Sequence, residues 1–480
     1  MTLKRKAGCA IFMVGLALLV LLSGIAIKER GRSNLAHELE RIRAAGEPLL
    51  PEDIDFRDPG EGHNRREWLV RFGEEFEELY PPVLWDPEGL FWDTEEDDSE
   101  DWEEDSLTEH KELFRTAIQE GRTREDLVAE VWSALADPRL LAQCSPFVNN
   151  HFRTARTVLA DAIPRALEIV QCAGLDLETI TASALDVDED GRPSIYPVLP
   201  ISESIAVMKI LGATLRQACL EGDEKLAHQL LLAAFDNADA YAGSGSAHQI
   251  MTWNLLEYQA LDMLEDALFF LPLVDHLPDL EQELEKVRPL HFGRQMFVSE
   301  RAFGRRAYQW WGDLAGDEVS IWSTEGLVCE AFQEWDELAY LEMTGRFIHE
   351  FDRSRPTWEM HAALGREGAM ETPPSWSLLC KILSMNSSML LTQILYSDCR
   401  LTLARIALVS QRNGRDAALA LAKATLDPFD GKPLRWREEE DGTILFWSVG
   451  ADLIDDGGAH PGPDPDQREP DDITWRVKPR

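Results

Sequence analysis

The sequence predicts a mainly α-helical protein: an N-terminal transmembrane helix, an irregular, repeat-like helical body and a small C-terminal β-hairpin module. Three observations carry this reading. Residues 10–27 form an unbroken apolar run without a charge. From Leu107 onward apolar residues recur with helical period. Between Leu434 and Ser448, two short runs rich in β-formers flank an Asp441-Gly442 turn. The chain divides accordingly into a tail (1–9), the span (10–27), a stalk with linker and acidic segment (28–106), the helical body (107–425) and the β-module (426–480).

The span comes first. Its eighteen residues just suffice to cross a bilayer core at about 1.5 Å per residue. Lys4, Arg5 and Lys6 precede it, as in a signal anchor with the N-terminus inside. Gly24-Ile25-Ala26 keeps a cleaved signal open, and Lys28, Arg30, Arg32, Arg41 and Arg43 weaken the charge asymmetry. The expected topology is a single-pass membrane protein with an extracytoplasmic body.

Leu35, Leu39 and Ile42 then predict a helix over 29–45, followed by a Pro/Gly/Asp-rich linker over 46–62 and a short helix over 65–79. Residues 93–105 hold ten acids in thirteen positions, next to Trp92 and around Trp102. Such a strip is a solvated loop or a docking strip for a basic partner. The net charge of -40 leaves no basic face, which excludes nucleic acid as a partner.

In the body, helices are predicted over 107–121, 123–136, 151–173, 202–221, 223–242, 247–270, 279–287, 338–352, 376–395 and 398–412. Gly222 suits a helix C-terminus and Asp223 an N-cap, so 202–242 reads as an antiparallel hairpin with 247–270 stacked on it. No fixed period recurs, so the body is not a true repeat array. A body of this kind suits a protein partner. Trp310, Trp311, Trp322 and Trp335, with Arg301, Arg305 and Arg306 upstream, could line a groove, but core packing is the simpler expectation. None of the seven cysteines is spaced from another as in a zinc knuckle or redox pair, so they read as small buried hydrophobes, with one or two disulfides open if the body is extracytoplasmic.

Catalytic motifs are missing: no Gly-x-Ser-x-Gly elbow, no His-Glu-x-x-His helix and no phosphate-cradling glycine loop. Asp186, Asp188 and Asp190, followed by Gly191, repeat the first half of an EF-hand calcium loop, but Pro197 stands where the bidentate Glu belongs. At the C-terminus, Asp427-Pro428 ends the preceding helix. Strands are predicted over 434–437 and 443–448, with a final extended piece over 473–477. The long intervening loop is rich in Gly, Pro and Asp, and a cation held by its carboxylates would tie it down.

Asp427-Pro428-Phe429-x-Gly431-x-Pro433-Leu434-Arg435-Trp436, then Ser448-Val449-Gly450-Ala451-Asp452, then Asp471-Asp472-Ile473, resembles the C-terminal end of major pseudopilins of type II secretion. In that family the loop between strand and return binds calcium. The resemblance implies Ser448, Asp452, Asp471 and Asp472 as calcium ligands, with Asp455 and Asp456 as extra acids. It covers about a tenth of the chain. Here the loop is longer, Leu453 replaces the family's glycine, and no prepilin N-terminal pattern is present. The anchor, Ala44-Ala45-Gly46-Glu47-Pro48-Leu49 and the Asp455-Asp456-Gly457-Gly458 ending are also similar to a group of planctomycete-type membrane-anchored proteins without known activity. The functional expectation is a non-enzymatic, membrane-anchored protein-binding body with a calcium-stabilised end. The alternatives are an extracytoplasmic hydrolase with a scattered site, or a secretion-system component.

Overall fold

A computed structural model describes residues 3–79, 162–178, 199–242, 247–317, 324–352, 356–364, 387–458 and 472–478, with short pieces between 113 and 148, Ile180 and Cys380. The described chain is mainly helical and ends in a three-stranded antiparallel sheet. The helices are α1 (Leu3–Ala44), α2 (Arg65–Leu79), α3 (Ile201–Glu221), α4 (Glu224–Asp239), α5 (Ala247–Phe270), α6 (Leu277–Lys286), α7 (Pro289–Asp317), α8 (Thr324–Asp352), α9 (Thr357–Leu364), α10 (Ser387–Asn413) and α11 (Arg415–Ala424). The strands are β1 (Arg435–Glu438), β2 (Ile444–Ser448) and β3 (Ile473–Val477).

The α3–α4 hairpin forms as the sequence predicts. Gly222 closes α3 in the left-handed region at φ 74°, and the Asp223 side chain accepts the Leu226 amide at 3.0 Å to start α4. The two far ends are tied together, because Asn237 Nδ2 donates to Ser204 O at 3.1 Å and the Tyr241 hydroxyl to Pro200 O at 2.9 Å. Helix α5 packs on both helices, and α10 packs on α5. One apolar cluster runs from Trp68 and Phe72 of α2 through this stack to Phe446 and Trp475 of the sheet.

Helix α7 is absent from the sequence reading. Gly293 and Gly304 interrupt its pattern as breakers would, but here they allow close approach of neighbouring side chains. A Cβ on Gly304 would stand 2.3 Å from the Tyr340 ring, and one on Gly293 2.8 Å from Ile394. Helix α8 begins at Thr324, fourteen residues before the predicted start. The helices predicted over 376–395 and 398–412 are joined in α10, which runs unbroken through Ser397 and Asp398. The 3-10 turn at Glu168–Gln171 and the extended residues after it end the predicted 151–173 helix early, while most of the segments predicted over 107–136 lie outside the described residues.

The span and stalk helices are one element, α1. Side chains of the apolar run before Ser23 lie outside the described residues; among the described residues no helix is long and apolar enough to cross a membrane. From Ile27 onward α1 is docked on α8. Trp335 Nε1 donates to Ile27 O at 3.0 Å, its ring lies across Gly31, and Leu35 and Ile42 share a cluster with Tyr308, Tyr340 and Leu341. The linker after α1 is held down as well. Glu47 receives Arg294 at 3.1 Å and Arg301 at 2.7 Å, Arg305 donates to Leu49 O, and Arg306 pairs with Glu52. These arginines therefore hold the linker; of the four tryptophans only Trp335 has a described side chain.

Candidate functional site

Strand β2 is buried at all five positions. Its central place explains this. Phe446 pairs with Trp436 on one side and Trp475 on the other. Ile444 and Phe446 join the helical core, while Leu445 and Trp447 lie under the loop that follows, where Gly458 packs against both. Fully burying Phe446 and Trp475 favours the docked sheet by roughly 1.5–3 kcal/mol each. The predicted hairpin thus gains a third strand, and the piece predicted over 473–477 is β3.

Asp427, which ends the helical body, is the buried hub of this region. One carboxylate oxygen accepts the Phe429 amide at 2.9 Å and the Ser448 hydroxyl at 2.8 Å. The other accepts the Val449 amide at 3.0 Å and Arg435 Nη1 at 2.7 Å. Arg435 extends the network. Its Nη2 pairs with Asp430, and its Nε reaches Asp455 at 3.2 Å. Asp455 also accepts Trp447 Nε1 at 3.0 Å and the Gly457 amide at 3.1 Å, and Arg437 donates to Gly457 O. Burial pushes Asp430 and Asp455 up, but hydrogen bonds from Arg435, Lys432, Trp447 and Gly457 outweigh it and hold both below the usual carboxylate range.

Ser448, Asp452 and Asp472, the expected calcium ligands among the described residues, each have a protein partner, although Asp452 Oδ2 is buried without a hydrogen bond. Ser448 donates its hydroxyl to Asp427, and Asp452 Oδ1 accepts the Ile454 amide at 2.9 Å. Asp472 Oδ2 accepts the Gly458 amide at 2.7 Å, while its other oxygen is buried without a hydrogen bond; burial, with Asp455 and Asp456 nearby, pushes this carboxyl up. Asp471, Asp186, Asp188 and Asp190 lie outside the described residues. Among the described residues, no group of three or more His, Cys, Asp or Glu side chains is placed to hold a metal ion. Leu453, where the pseudopilin pattern has glycine, takes a left-handed backbone conformation at φ 62°.

A second cluster lies where α5, α10 and β3 meet. Asn254, Glu257, Tyr258, Leu261, Asp262 and Glu265 share one face of α5. Arg400 of α10 faces them. Its Nη2 stands 2.5 Å from Asp262 and 3.8 Å from Glu265, and its guanidinium lies 4.1 Å over the Tyr258 ring and 5.5 Å from the Trp475 ring. Glu265 accepts the Arg476 amide at 2.8 Å, which joins β3 to α5. Neither oxygen of the fully buried Glu257 has a hydrogen-bond partner, since the nearby Ser397 hydroxyl donates to Asn254 Oδ1 at 2.9 Å. Burial pushes Glu257 up to about 8, with the Ser397 hydroxyl and then Arg400 pulling it back only in part, and pushes Glu265 up to about 7 against Arg400 and the Arg476 amide.

A cavity of about 260 Å³ lies elsewhere, between residues 57–61, 172–177 and 236–242. Its Arg65 is held by Ala173 O at 2.7 Å and Asp236 at 2.5 Å, and burial pushes its Cys172 thiol up, away from nucleophilic use. Cys144, Cys172, Cys219, Cys380 and Cys399 are free thiols, all buried except half-exposed Cys144. Comparisons of the chain with protein-family models, with curated proteins and with solved structures found no match.

In the sequence alone, Asp427 marks only a helix end and Arg435 only a strand position. A usable signal was present. Asp427, Asp430 and Arg435 bracket a Pro-x-x-Gly-x-Pro turn, which returns the chain on itself and brings the charges together. The α5 cluster had no such signal, because a polar stripe on a helix ordinarily faces water.

Proposed function

We propose that the chain is a single-pass, membrane-anchored protein whose helical body lies outside the cytoplasm and binds a protein partner without catalysis. The observation that carries this is α1. The apolar run continues without a break into a helical half that is docked on α8 through Trp335, Leu35 and Ile42. An anchor built this way holds the body in one orientation at the bilayer, which suits presentation of a surface. Leu453 and Ile454, 52% and 46% exposed beside Asp452 and Asp455, support a protein partner with basic and apolar character.

Alkaline carbonate extraction and protease treatment of intact spheroplasts test the placement. The chain is expected to stay in the membrane pellet, and added protease is expected to degrade the body. Release by carbonate overturns the anchor, and a body protected until the cells are lysed overturns the extracytoplasmic placement.

A further inference from the structure

We propose that Arg435 is the built-in cation of the C-terminal module and does the work the resemblance assigns to calcium. This stands apart from the membrane reading. A loop rich in carboxylates needs positive charge to close, and two sources could provide it: a bound metal or a side chain. All three types of guanidinium nitrogen are in use. Nη1 binds Asp427, Nη2 binds Asp430, and Nε binds Asp455. Each carboxylate in turn organises a different piece of backbone. Asp427 holds the Phe429 and Val449 amides, Asp430 the Lys432 amide, and Asp455 the Gly457 amide and the Trp447 indole. One planar group therefore joins the turn after the helical body, β1, the end of β2 and the covering loop.

Ser448, one of the expected calcium ligands, fits this assignment, whereas one oxygen of Asp472 stays buried without a hydrogen bond. The Ser448 hydroxyl points to the same Asp427 carboxylate that Arg435 binds, so it belongs to the guanidinium network and not to a metal shell. The charge also has a practical property. A guanidinium stays protonated throughout the physiological range, so the module closes with or without free calcium. Lysine cannot take over this role, because an ammonium is a single point charge and cannot direct three forks to three separate carboxylates.

Thermal unfolding and hydrogen exchange on the full chain in detergent, in chelator and in millimolar calcium, test the proposal. The parent protein is expected to unfold at the same midpoint in both, with equal protection of the Val449 and Gly457 amides. Arg435→Gln is expected to lose that protection and to unfold roughly 5–10 °C lower. If Arg435→Gln proves insoluble, Arg435→Lys serves in its place: charge is kept, and protection at Gly457 is still expected to fall at least tenfold. A parent midpoint that rises in calcium overturns the proposal. So does a soluble Arg435→Gln or Arg435→Lys protein whose covering loop stays protected.

Discussion

The two arginine-centred clusters hold the same ingredients and behave in opposite ways. Around Arg435, hydrogen bonds from fixed donors outweigh burial, so Asp430 and Asp455 are held ionised. Around Arg400, burial outweighs pairing, so Glu257 and Glu265 favour the protonated form. The difference lies first in burial, since Glu257 is fully enclosed and Glu265 nearly so while Asp455 is half exposed, and then in how many donors each carboxylate meets. Asp455 accepts from a guanidinium, an indole and an amide, whereas Glu257 sits fully buried with no hydrogen-bond partner. An arginine nearby does not by itself set the charge of an acid; the balance between burial and the donors reaching its oxygens does.

The largest expected effect comes from removing Arg400. Arg400→Met leaves Asp262 and Glu265 without their shared cation and strips the stacking on Tyr258 and Trp475. A loss of roughly 3–5 kcal/mol is expected, read as a shift of the urea midpoint. A far smaller loss would mean that the α5–α10 contact is held by its apolar residues alone.

Glu257 comes next, and its sign is fixed by linkage. Its folded pKa of about 8 lies above the ordinary 4.5, so the native state keeps a proton that the unfolded chain has released. Its contribution is therefore full below about 4.5 and is lost as pH rises through 8. Glu257→Gln removes this dependence. Near pH 5 the variant should match the parent within about 1 kcal/mol, and near pH 9 it should be more stable by roughly 3–4 kcal/mol. Equal pH profiles for the two proteins would show that Glu257 is not buried as a neutral acid.

The smallest effect concerns the loop that Arg435 holds. Leu453 sits at φ 62° with its side chain half exposed. Leu453→Gly relieves the left-handed strain and should raise stability by about 0.5–1 kcal/mol, measured by thermal unfolding. A decrease would mean that the leucine side chain contributes packing that outweighs its backbone strain.

Residues with strong local signals were legible in the sequence. Gly222 and Asp223 fix the α3–α4 joint by backbone conformation and capping alone, and α2 occupies the expected 65–79. Features that depend on distant partners were not. Gly304 reads as a breaker until Tyr340 is placed against it. Asp398 reads as a helix start, yet α10 runs straight through it because α5 and the sheet cover that turn. The C-terminal acids were found as a group, but their arrangement was not. Asp427 and Arg435 carry the geometry, and only the turn between them shows it.

The contact between Glu265 and the Arg476 amide spans 211 residues of chain. Bringing two points so far apart together costs entropy before any contact rewards it, so docking of β3 belongs late in folding. Until then β2 offers an unpaired edge made of Ile444, Leu445, Phe446 and Trp447. Such an edge can pair with another chain as readily as with its own last strand. Refolding yield should therefore fall with protein concentration well before stability does, and the trapped species should be one whose helices are formed and whose sheet is open.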